Sequence, residues 1–220
     1  MTVTGEPRKI FKGLAGVVVD TTAISKVVPE TNTLTYRGYA VQDLAANCSF
    51  EQVAWLLWHG ELPTDGQLAS FTERERAARA LTPGLSALLS GLSETCHPMD
   101  VVRTAISYLG AQDPAEDDPS EQANLAKSER MFAVLPTIVA ADMRRRRGLA
   151  PIEPRSDLGY SENFLNMCFG EVPEPEIVAA FGAAAISFTC FARAETILDV
   201  AGPLLAEGHS AAAFKERCDT

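Results

Sequence analysis

Histidine is the side chain that exchanges protons near neutral pH, and this sequence offers three: His59, His97 and His209. So few limit what acid–base chemistry the chain can build, and composition and spacing alone leave its function open. His59 follows an apolar stretch and precedes Gly60, where an imidazole serves either a helix C-terminus or a substrate. His97 precedes Pro98 and reads as a helix N-terminal cap. His209 lies in a Gly-His-Ser triplet near the end of the 220 residues. No Gly-x-Ser-x-Gly elbow, phosphate-cradling glycine loop or dinucleotide fingerprint occurs, so nucleophilic serine and nucleotide chemistry find no support.

Two other residue groups bear on chemistry. Arg144, Arg145, Arg146 and Arg147 are consecutive and precede Gly148, where cations favour a helix C-terminus and glycine ends it. That placement accounts for them as a solvated helix end without a ligand. The five cysteines, Cys48, Cys96, Cys168, Cys190 and Cys218, are far apart and lack C-x-x-C spacing, so they read as reduced core thiols, with no metal site.

The elements that must position these residues are mostly helical. Val17 to Val19 with Thr21 and Thr22 suggest a short strand, Thr33 to Tyr36 a second, and residues 29–32 a turn between them. Ser49 with Gln52, and Thr64 with Gln67, are capping boxes that open two helices; Thr82 followed by Pro83 opens a third. The second of these helices shows Glu73, Arg74, Glu75 and Arg76 as an outer face. Further helices are expected over residues 98–109, 122–147 (with Pro136 kinking it), 160–169 and from Glu176 onwards. Residues 113–121 form an acidic, solvated loop. The fold class is all-α with a small N-terminal β-hairpin.

Composition narrows the partners. The chain has 29 Asp plus Glu against 19 Lys plus Arg, a net charge of −10, which repels nucleic acid and anionic membranes. No apolar run approaches the roughly 18 residues of a membrane span, and no secretory leader pattern opens the chain, so a cytoplasmic protein is expected. A hydrophobic fraction of 46% suffices for a core.

Several stretches, in order, resemble the N-terminal half of citrate synthases. They are Lys12-Gly13-Leu14-Ala15-Gly16-Val17-Val18, Leu34-Thr35-Tyr36-Arg37-Gly38-Tyr39, Phe50-Glu51-Gln52-Val53-Ala54-Trp55, Gly60-Glu61-Leu62-Pro63-Thr64, His97-Pro98-Met99-Asp100 and Tyr160-Ser161-Glu162-Asn163-Phe164-Leu165-Asn166-Met167. The opening is most similar to the 2-methylcitrate synthases of actinobacteria. The resemblance implies a large helical domain carrying a small N-terminal β-hairpin, and an obligate homodimer. It also implies condensation of an acyl-CoA, acetyl-CoA or propionyl-CoA, with oxaloacetate. Acyl-CoA enters as substrate rather than cofactor, and His59 is a candidate substrate-binding residue.

The resemblance fades after Phe181. Residues 1–181 are expected to be the first part of the large domain, and residues 182–220 a divergent helical tail, the family's C-terminal half being missing. Ala206-Glu207-Gly208-His209 is a faint echo of the family's Ala-Glu-His-Gly, and His209 falls beside the ligand-histidine position, a candidate catalytic residue one place off register. A truncated product, a frameshifted tail from about Gly182 and an incidental Ala-rich helix are the competing readings. Two functions follow: an acyltransferase homologue inactive alone, or a non-catalytic helical module that dimerises or joins a full-length synthase.

Overall fold

A computed structural model describes residues 17, 18, 20–28, 30 and 33–188. Strands β1 (Ser25–Val28), β2 (Thr33–Tyr36) and β3 (Tyr39–Ala40) come first. Helices α1 (Val41–Asn47), α2 (Phe50–His59), α3 (Asp65–Ala77) and α4 (Pro83–Gly91) follow, then α5 (Pro98–Ala111), α6 (Glu121–Arg146), α7 (Tyr160–Phe169) and α8 (Pro175–Phe188). The expected helical architecture with a small β ornament is what forms.

The first strand is not where the valine run suggested. β1 begins at Ser25, while Val17 and Val18 are exposed and outside any strand. Side chains divert that stretch: Asp20 Oδ1 accepts from the Thr21 N–H at 2.7 Å and Thr22 Oγ1 from the Ile24 N–H at 3.1 Å. Short polar side chains that bond neighbouring backbone compete with ladder pairing. β1, β2 and β3 pair antiparallel in that order, with Val27 opposite Leu34 and Tyr36 opposite Tyr39. The β2–β3 turn is Arg37-Gly38, with φ of 50° and 92°, the two positive values that a type I′ hairpin requires. Arg37 then donates from Nε and Nη2 to the Leu57 carbonyl at 3.1 and 2.7 Å, satisfying an end carbonyl of α2 and docking the hairpin there.

The capping residues act as read. Ser49 and Gln52 bond reciprocally at 3.3 and 2.8 Å, Thr64 and Gln67 at 3.4 and 2.9 Å, and Thr82 Oγ1 accepts from the Leu85 N–H. Helix α1 and strand β3 were not anticipated, being too short to show a period. The outer face expected on α3 is corrected at one position: Glu75, one turn after buried Phe71, is 2% exposed.

Three apolar clusters among the described residues join most of the helices. Leu85, Leu89, Val101, Ala105, Val134 and Ile138 join α4, α5 and α6. Ala140, Phe164, Leu165, Met167 and Phe181 join α6, α7 and α8. Tyr36, Val41, Leu44, Val53, Leu56 and Ile186 join the hairpin, α1, α2 and α8. Helix α8 therefore belongs to two clusters, and the Tyr36 hydroxyl donates to the Ile186 carbonyl at 3.2 Å across 150 residues of sequence.

Helix α6 continues through Pro136, which has no N–H for the Phe132 carbonyl one turn back. The Tyr160 hydroxyl, at the start of α7, donates to that carbonyl at 2.9 Å. A proline's missing bond thus becomes the contact that seats one helix on another.

Candidate functional site

His59 ends α2, exposed, with Gly60 following it in the left-handed conformation that closes the helix. Its ring stacks on Trp55, one turn earlier, with centroids 3.8 Å apart. His97 caps α5, its Nδ1 accepting from the Met99 N–H at 3.2 Å. The two histidines thus sit at a helix C-terminus and a helix N-terminus. His209 lies outside the described residues, as do Cys190 and Cys218. Cys48, Cys96 and Cys168 are free thiols, Cys168 buried. No group of His, Cys, Asp and Glu among the described residues could hold a metal ion.

The arginine run departs from expectation. The Gly148 N–H bonds the Arg145 carbonyl and the Leu149 N–H the Arg144 carbonyl, both at 2.9 Å, with Gly148 at φ 68°; this is the double bond of a Schellman stop. The helix-end reading holds, but the side chains are not simply solvated. Arg145 donates to Asp142 at 2.7 Å and to the Leu92 carbonyl at 2.7 Å. Arg146 donates to the other Asp142 oxygen at 2.7 Å and to the Glu94 carbonyl at 2.6 Å. Arg144 reaches the Ala150 and Cys168 carbonyls. Three guanidinium groups thus clasp α6 to the segment after α4, to the segment after α6 and to the end of α7. The Asp142 side chain, 7% exposed, is the anion at the centre.

A second polar group escaped the sequence reading altogether. Arg79, just beyond α3, forks onto Glu75 at 2.8 and 2.7 Å and donates to the Arg155 and Leu158 carbonyls at 2.7 and 3.0 Å. Burial pushes the Glu75 carboxyl up, against the opposing pull of Arg79. Glu51, buried on α2, accepts from the Tyr160 N–H at 2.9 Å, and Glu162 accepts from the Gly159 N–H at 2.9 Å. Both carboxylates stand at the N-terminus of α7, where unpaired N–H groups and the helix dipole favour anions. Burial first, then the nearby Glu75 and Glu51, hold the Tyr160 phenol well above its usual range. An aromatic stack runs from Tyr160 through Phe132, at 4.4 Å, and Phe71, at 5.9 Å, to Trp55 under His59. The only sequence signal for this group was the four-residue spacing of Glu75 and Arg79.

Beside Tyr160 an apolar groove of about 280 Å³ opens between α5, α6, α7 and α8, its walls including Met99, Val102, Leu135, Val139 and Phe181. Leu135 and Val139 are partly covered there, whereas Ile138 faces the core and is fully buried. Taken together the described groups can organise a helical frame and accept an apolar surface.

The comparisons give that frame its family. The family model for the citrate synthase C-terminal domain matches residues 13–189. The chain belongs to the citrate synthase family. A citrate synthase of Mycolicibacterium smegmatis is 73% identical over 176 residues, 80% of this chain and 47% of that protein. A 2-methylcitrate synthase of Mycobacterium tuberculosis (strain ATCC 25618 / H37Rv) is 72% identical over 172 residues, 78% of this chain and 43% of that protein. Among solved structures, citrate synthase from Pyrobaculum aerophilum superposes with a TM-score of 0.75 at 33% identity, over 80% of this chain and 46% of that one. The chain spans under half the length of these citrate synthase relatives. No helix among the described residues is long and apolar enough to cross a membrane.

Proposed function

We propose that this chain is the first part of the large domain of a cytoplasmic citrate synthase-type acyltransferase, and that its 220 residues alone do not turn over substrate. The whole enzyme condenses acetyl-CoA or propionyl-CoA with oxaloacetate, giving citrate or 2-methylcitrate, and works as a homodimer. Its substrates are acyl-CoA and oxaloacetate, with no metal and no cofactor. His59 binds substrate in that whole enzyme, reaching it from the end of α2, and His209 is the tail's candidate base.

The observation that carries the reading is the employment of the polar groups. His97 caps α5, while Arg79, Arg144, Arg145 and Arg146 are committed to carbonyls and carboxylates of the frame. Enolising a thioester takes a base, an oxyanion donor and cationic clamps held together in a closed site, and losing one such donor typically costs a hundredfold to a thousandfold. The test follows CoA release by the purified chain with oxaloacetate and each acyl-CoA. Background rates are expected; turnover abolished by His209→Ala overturns the reading. The same employment of polar groups favours a second function, a helical module that associates with itself or with a full-length synthase. Sedimentation of the chain alone and mixed with the synthase tests it.

A further inference from the structure

We propose that the cavity between α4, α6 and the segment after α6 binds a small uncharged molecule with an apolar body and one hydrogen-bonding group, such as a phenol or an alcohol, whose polar atom pairs with the Thr137 hydroxyl. The cavity holds about 350 Å³, within the range of small-molecule sites. Thr137, Ala141 and Arg145 follow one another at intervals of four, so α6 presents them as one stripe along it, and the short side chain of Ala141 leaves the room. Leu81, Leu89 and Ile152 add apolar wall.

Thr137 is the lining residue that asks for a polar partner. It is 4% exposed, and its hydroxyl has no hydrogen-bond partner among the described residues. A helical threonine commonly returns its hydroxyl to the carbonyl four residues back, and buried hydroxyls are nearly always paired. One left over beside a cavity is matched to a group from outside the fold. Charge then narrows that group. The Arg145 guanidinium is already shared between Asp142 and the Leu92 and Ser93 carbonyls, which leaves its alkyl stem to the cavity. Glu153 is the other charged lining residue, exposed at the rim. A carboxylate or phosphate would meet Glu153 with no uncommitted cation among the lining residues, so the site selects against anions, acyl-CoA and oxaloacetate included. It is thus independent of the catalytic reading. The outer wall is fixed in advance: Arg144 Nε donates to the Ala150 carbonyl at 2.6 Å and the Leu149 N–H to the Arg144 carbonyl at 2.9 Å, holding the segment that carries Ile152. A preformed wall spares a ligand the cost of ordering it.

The test measures binding of 2-naphthol, 2-methylnaphthalene and 2-naphthoate to the full chain by equilibrium dialysis at neutral pH. The three share a ring system and differ in a hydroxyl, a methyl and a carboxylate. Binding of 2-naphthol at one site per chain is expected, with 2-naphthoate at least about tenfold weaker. Thr137→Val should weaken 2-naphthol about tenfold, the loss of one hydrogen bond, and leave 2-methylnaphthalene unchanged. Ser90→Phe adds a ring at an exposed lining position and should weaken both. Thr137→Val should also hold or raise the urea midpoint of the unliganded chain, because it removes a buried polar atom that the fold does not pair. A lowered midpoint would show the hydroxyl already employed in the fold and overturn the proposal. So would equal weakening of 2-naphthol and 2-methylnaphthalene by Thr137→Val, 2-naphthoate binding as tightly as 2-naphthol, or 2-naphthol binding indifferent to Ser90→Phe. None of these outcomes bears on CoA release.

Discussion

Arg79, just past the end of α3, and Arg145 with Arg146, at the end of α6, each tie a helix terminus to carbonyl oxygens of a distant segment. Arg79 with Glu75 is dry, its side chain 2% exposed and the carboxylate's 1%. Arg145 and Arg146 keep 15% and 23% of their side-chain surface in water, around an aspartate at 7%. The hydrogen-bond inventories are similar, yet water can replace a lost partner at only one of the two sites. Breaking a pair in the dry site leaves a charge with no alternative partner, a cost of several kcal/mol.

The largest expected effect follows. Arg79→Met should destabilise the chain by about 3–5 kcal/mol in urea unfolding, because Glu75 stays buried and the Arg155 and Leu158 carbonyls lose their donor. Arg79→Met with Glu75→Leu should recover much of the loss. A single variant within about 1 kcal/mol of the parent would mean that water reaches the pair, and the contrast between the two regions would collapse.

The wetter clasp comes second. A solvated helix end loses at most about 1 kcal/mol when Arg145 and Arg146 both become Gln. With Asp142 buried and carbonyls of residues 92 and 94 engaged, about 2 kcal/mol is expected, below the Arg79 effect. Raising the salt concentration should shrink the Arg145 and Arg146 effect more than the Arg79 effect, since screening acts on charges that touch water.

This difference was not legible in the sequence, whereas much of the frame was. Helix starts were, because Ser49-Gln52, Thr64-Gln67 and Thr82-Pro83 act within one turn and their chemistry is local. The stop at Gly148 was legible for the same reason. Glu75 was misplaced on an outer face because its burial comes from residues 155–158, about 80 positions away. Nothing in α3 itself announces that loop. Pro136 was read as a kink, and the bond that its missing N–H leaves to the Tyr160 hydroxyl was not legible, because it needs Tyr160 to be brought alongside. Of the candidate site, His59 and His97 were correctly placed at helix ends.

Pro136 and Tyr160 supply a third, smaller effect that couples the two regions through α6. Tyr160→Phe strands the Phe132 carbonyl and should cost about 1–2 kcal/mol. Pro136→Ala returns an N–H to that carbonyl. It should therefore stabilise the Tyr160→Phe chain by about 1 kcal/mol more than it stabilises the parent, a coupling read from a double-mutant cycle. Additive effects would show that the hydroxyl is not the substitute for the missing helix bond.

The smallest effect at neutral pH concerns Cys168, which lies within reach of the fields of Arg144 and Arg147 yet is packed in the α6–α7–α8 cluster. Burial raises its pKa from the ordinary 9.0 to about 12, and the two arginines pull it down only in part. The comparison of wet and dry charge thus extends to a group that stays neutral. A raised pKa on an acid favours the folded state below the unfolded value and loses that contribution as pH climbs through the folded one. Stability should consequently fall between pH 9 and 12, and Cys168→Ala should flatten part of that fall. Tyr160 and Cys48, which burial also raises, contribute to the rest of it. Near pH 8 the same burial predicts protection: iodoacetamide should modify the half-buried Cys96 well before Cys168, as read by peptide mass spectrometry. Equal labelling rates would place water at the α6–α7–α8 core and make its arginines, rather than its packing, the dominant influence on the thiol.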